Sequence, residues 1–163
     1  MSVPDLLFHS PSKGTLSFQE MLKAIVSYMD EEPKHFYKVI VGTDSFARSD
    51  TTLVTAVIVQ RVGRGAIYFL TKSPMQWFPT LRDRIFEEAI HSIMLAQELR
   101  SRLKEELKDE FLWESNEIHV DIGQNGPTKE LIDAVSGIIR GYNFYPVIKP
   151  LSFAASTVAD KHT

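Results

Sequence analysis

A chain of 163 residues, 44% hydrophobic and 24% charged, has the size and composition of one ordinary globular domain, not of a disordered or fibrous protein. It contains no cysteine, which excludes disulfides, thiolate zinc sites and cysteine nucleophiles. A formal charge of -3 argues against coating nucleic acid by bulk electrostatics, though it leaves room for a nuclease whose carboxylates hold cations.

The start, MSVPDLLFHSPSKG, has no basic region ahead of an apolar core, and no apolar run approaches the roughly 20 residues of a membrane span. A soluble, cytoplasmic protein is the expectation. Phe18, Met21, Leu22, Ile25 and Met29 then recur at helical spacing, with Glu31-Glu32-Pro33 as a stop. YKVIVGTDSF opens the first strand, from Tyr37 to about Thr43, and places Asp44 where the chain is expected to turn. LVTAVIVQRV is a second strand, rich in β-branched residues, and AIYFLTK returns after the turn signal GRG. These three strands form an antiparallel meander.

After the proline-broken stretch SPMQWFP, the spacing predicts a long helix over about residues 80–109. NEIHVDIGQNG is a fourth strand running into a glycine-rich turn. Thr128 is placed to cap the next helix and Gly141 to end it. FYPVIKP is a short fifth strand, and small residues from Ser152 onward keep helical register. One domain over residues 1–163 is expected, with an N-terminal helical extension of about 35 residues. Its fold class is α/β: a mixed five-stranded sheet, three antiparallel strands then two parallel ones, flanked by helices.

Ligands in open α/β sheets bind outside the carboxyl ends of the strands, where Asp44 and Asp121 come together if the first and fourth strands are neighbours. Close carboxylates repel and call for a cation or a proton. On the long helix, Glu88 lies about 60° from the centre of the apolar face while Glu87 points nearly opposite. An acid on an inner face needs a ligand or a partner, and an arginine could serve as that partner. Asp160 falls on the same helical side as Ser156 and Thr157, although an acid so near the chain end is more often a frayed surface residue. Four such acids suit two Mg²⁺ or Mn²⁺ ions about 4 Å apart, which activate water for phosphodiester cleavage. The histidines show no zinc spacing, and Ser45 lacks the elbow of a serine hydrolase.

GTDS, RIFEEAIHS, HVDIGQNGPTK and IKPLSFAASTVADKHT resemble the YkuK-type ribonuclease H-like family of bacteria, from about residue 14 onward. The resemblance implies a ribonuclease H-like fold. Asp44 matches the first-strand acid of that superfamily, Glu88 the helix acid, Asp121 the fourth-strand acid and Asp160 the acid of the last helix. Glu87 is the alternative at the helix position. These four are the expected catalytic and metal-binding residues of a hydrolase that cuts RNA or DNA with Mg²⁺ or Mn²⁺. The chain departs from typical ribonuclease H in lacking an evident basic handle for a hybrid duplex. A module that binds nucleic acid or protein without cutting is the alternative, and a nucleotide-using enzyme built on DIGQNG is a weaker third.

Overall fold

The computed structural model describes residues 2–45, 50–107, 116–154 and 158. A 3-10 turn, Val3–Asp5, leads into a hairpin of β1 (Leu7–Ser10) and β2 (Gly14–Ser17), then α1 (Phe18–Glu31) and β3 (Tyr37–Ser45). β4 (Asp50–Thr51), β5 (Leu53–Arg61), β6 (Ala66–Lys72) and β7 (Gln76–Trp77) follow, then α2 (Leu81–Leu107) and β8 (Asn116–His119). A 3-10 turn, Lys129–Leu131, runs into α3 (Ile132–Gly141), and β9 (Tyr145–Val147) comes next.

The main sheet has seven strands in the order β2-β1-β6-β5-β3-β8-β9, two more than the five expected. The expected five are present and in sequence, with β3 antiparallel to β5 and parallel to β8, and β9 parallel to β8. The two additional strands come from residues 7–17, which the helical extension was expected to include. They pair with each other over four positions and dock on β6 through His9 and Leu70. Four-residue strands are too short to show a period of two, and their turn, Pro11-Ser12-Lys13, carries no asparagine–glycine signal. β4 and β7 form a separate two-stranded ribbon from stretches expected to be irregular.

α1, α2 and α3 share one face of the sheet. Met21, Ile25, Ile93, Leu99, Leu103, Val135 and Ile139 interleave there with Val39, Val41, Val57, Val59 and Ile118 in one core. On the other face Ile40 and Ile58 pack against Ala154, while Val54, Ala56 and Leu70 pack with Tyr68 and Val158. The segment after β9 therefore covers the face that the three helices leave open.

α1 begins with a capping box: Ser17 Oγ accepts from the Glu20 N–H at 3.1 Å, and Glu20 accepts from the Ser17 N–H at 3.1 Å. Ser17→Ala should lower stability by about 1 kcal/mol, seen as a lower urea midpoint at unchanged slope. Two of the expected helix signals act differently. Thr128 makes no cap; its hydroxyl instead accepts from the Gly123 N–H at 3.3 Å. Gly141 stays inside α3, and Asn143 at φ 64° takes the left-handed position after it. Arg61 is buried, donating from Nε to the Tyr37 hydroxyl and from its terminal nitrogen to the Tyr28 carbonyl.

Candidate active site

The register between β3 and β8 sets the site. Their last paired residues are Gly42 and His119, so Asp44 and Asp121 each stand two residues further along neighbouring parallel strands. Asp44 is not at a turn, as expected, but still in the ladder, opposite Val54, because β3 continues to Ser45. Asp121 follows the end of β8 at a bend. Alternation puts Asp44 on the face of Ile40 and Gly42, toward Ala154, and Thr43 and Ser45 on the face of α2.

α2 is registered on that second face by hydroxyls. Ser92 Oγ lies 2.7 Å from Thr43 Oγ1, which lies 2.9 Å from Thr55 Oγ1. One turn earlier on the helix, Glu88 receives a hydrogen bond from Ser45 Oγ at 2.6 Å. The helical-face expectation holds: Glu88 is 3% exposed, whereas Glu87 has a side chain 45% exposed and sits 3.5 Å from His91. The arginine partner weighed in sequence is Arg84, one turn before Glu88, with Nε 3.9 Å from its Oε1.

Glu88 has its pKa pushed up from 4.5 to about 8. Burial is the largest cause; the Ser45 hydrogen bond opposes it, Asp44 adds repulsion, Arg84 opposes, and Asp121 adds a smaller repulsion. Both aspartates therefore act on Glu88 across the carboxyl end of the sheet. Asp44 is itself buried, 6% exposed, and Asp121 is 27% exposed at its side chain. Lys149, just past β9, brings its ammonium 3.0 Å from Asp121 Oδ1. That oxygen is shielded from solvent, and the ammonium is the charge set against it. Asp160, the fourth expected acid, lies outside the described residues, as do Lys161 and His162.

His119 packs within the sheet. It is buried edge-on against Phe153; Nδ1 accepts from the Ala154 N–H at 3.2 Å, so Nε2 carries the proton and donates to Glu117 at 2.9 Å. That hydrogen bond is the first cause holding the Glu117 carboxyl below its usual range. His119 thus anchors the start of the segment that covers Asp44's face.

By donor type these residues suit a hard divalent cation, since Asp44, Glu88 and Asp121 offer carboxylate oxygens and Glu88 is held at high pKa by burial first and by the two aspartates in smaller part. Among the described residues no three histidines or acids are grouped closely enough to hold an ion together. A bound ion would require Asp160 or an inward shift of these side chains. Sequence reasoning gave no role to Lys149, whose signal was its place at the end of a strand parallel to the one that delivers Asp121.

A family model described as Ribonuclease H-like matches residues 20–163. The uncharacterized protein YkuK of Bacillus subtilis (strain 168) is 28% identical over 166 aligned residues, covering 96% of each chain. No solved structure matches. No helix among the described residues is long and apolar enough to cross a membrane.

Proposed function

The chain belongs to the ribonuclease H-like family, and from that membership we propose that it is a divalent-metal-dependent nuclease hydrolysing phosphodiester bonds of RNA or DNA. The observation that carries this reading is the buried Glu88, whose proton affinity is raised by burial and by repulsion from Asp44 and Asp121. A carboxyl in that position is a burden to the fold unless a cation or proton offsets it.

Mg²⁺ or Mn²⁺, bound by Asp44, Glu88, Asp121 and Asp160, would supply an activated water and charge for the leaving oxygen. The chain's own residues prepare for this. Asp44 and Asp121 each stand two residues past the last paired positions of neighbouring parallel strands, and the Ser45 hydroxyl holds Glu88 on the other face. Glu88 must give up its proton to ligate, so loading of the site is linked to proton release. His119 and Phe153 seat the chain that leads to Asp160.

A second reading, a module that binds nucleic acid or protein without cutting, is favoured by one observation. Lys149 already faces Asp121 and Ser45 already bonds Glu88, so two of the acids have partners without any ion. The two readings part in a cleavage assay. Labelled single and double strands of RNA and DNA, and the hybrid, are incubated with Mg²⁺ or Mn²⁺ and either wild type or Asp44→Asn purified identically. Cutting by wild type, lost by at least about 100-fold in Asp44→Asn, is the expected result. Equal cutting by both would mark a contaminant, and metal binding without cutting by either would favour the module.

A further inference from the structure

We propose that the Lys149 ammonium is a tethered counter-ion that a divalent cation must displace from Asp121, so that Lys149 sets how tightly the site loads. The inference rests on the metal-dependent reading above and deepens it.

The placement of Lys149 is built from both ends. Its backbone N–H donates to the Ile122 carbonyl at 2.8 Å, which locks residue 149 beside the loop that carries Asp121. Its stem runs over Gly123. A Cβ at Gly123 would stand 3.0 Å from Lys149 Cβ, 3.4 Å from Cδ and 3.7 Å from Cγ. Gly123 is not in the left-handed region, so what glycine supplies there is space for the lysine rather than a special turn. Gly123 is in turn held by its N–H bond to Thr128. A lysine merely scattered on the surface needs no such seat.

The contact itself is made to be exchanged. The ammonium covers Asp121 Oδ1 at 3.0 Å from a Lys149 side chain that is 49% exposed. The attraction in such a half-exposed pair is partly screened by solvent and salt. The four-carbon stem lets the ammonium leave without moving the backbone. A divalent ion brings twice the charge to the same oxygen, and would offer it to Asp44 and Glu88 as well. Lys149 therefore opposes loading twice: it occupies Asp121 beforehand and repels the arriving ion.

The test is Mn²⁺ titration of the metal-free full chain by calorimetry. Lys149→Met keeps most of the stem and removes the charge; Lys149→Gln is a second variant should the first misfold. Both should bind Mn²⁺ about threefold to fivefold more tightly than wild type, the range an exposed ion pair spans. Lys38→Met removes an equal charge from the far end of β3, where Lys38 faces Glu117 at 3.1 Å, and should leave the affinity unchanged. Unchanged or weaker Mn²⁺ binding in the Lys149 variants overturns the inference, as does equal tightening in Lys38→Met. If wild type binds and the variants match it, only the role of Lys149 fails. If no form binds Mn²⁺, the metal-dependent reading fails with it.

Discussion

Glu88→Gln should stabilise the metal-free protein by about 5 kcal/mol well above pH 8 and by little at pH 4. The folded-state pKa of Glu88 is raised from 4.5 to about 8. Below pH 4.5 the carboxyl is protonated in both folded and unfolded chains, and nothing is lost. Between 4.5 and about 8 the unfolded chain ionises while the folded one keeps its proton, so stability falls by up to about 1.4 kcal/mol per pH unit. Above that the loss is complete. Glutamine removes the ionisation and keeps an oxygen to accept from Ser45, so it abolishes this slope. At 3% exposure solvent does little to screen the effect. Urea midpoints of wild type and Glu88→Gln at pH 4, 6 and 8.5 check it; parallel pH profiles for the two proteins would contradict it.

Asp121→Asn should weaken Mn²⁺ binding by at least about 100-fold, because it takes a charged oxygen ligand from the strand that pairs with Asp44's. The fold should change little. Asp121 lies past the end of β8, is partly exposed, and pairs with the half-exposed Lys149. Losing that pair costs up to about 1 kcal/mol. Calorimetry with Mn²⁺, beside a thermal melt of both proteins, separates ligand loss from unfolding. Unchanged Mn²⁺ affinity would remove Asp121 from the site.

The opposite signs of these two results follow from where each acid sits. Glu88 is sealed between α2 and β3, so its charge is the larger burden when no ion is bound. Asp121 is at the rim, where water and Lys149 already temper its charge. An acid's distance from water, rather than its presence in a motif, decides whether its removal is felt first in stability or in binding.

Much of this was legible in the chain. β3, β5 and β6 announce themselves as β-branched runs bounded by turn residues, and the structure follows them to within two residues. Glu88 was separable from Glu87 because one helical step of about 100° carries a side chain from the core to water. The hairpin of residues 7–17 was hidden because each strand is four residues long and the whole unit is stabilised by β6 and α1, which lie far off in sequence or come later. Thr128 was misassigned because its hydroxyl had a rival acceptor role at Gly123, five residues back across a loop.

Local period and residue chemistry were enough to set which segments become strands and helices, which side of α2 is buried, and which acids lie near strand ends. These depend on neighbours within a few residues, and such neighbours are written in order along the chain. That Asp44 and Asp121 stand at one height, that Glu88 comes from the opposite face held by Ser45, and that Lys149 lies across Gly123 onto Asp121 were decided only by the tertiary structure. Those relations depend on strand order, on register, and on the missing Cβ at residue 123. They join residues up to 77 positions apart, from Asp44 to Asp121, and no local rule of spacing ranks one such meeting above another.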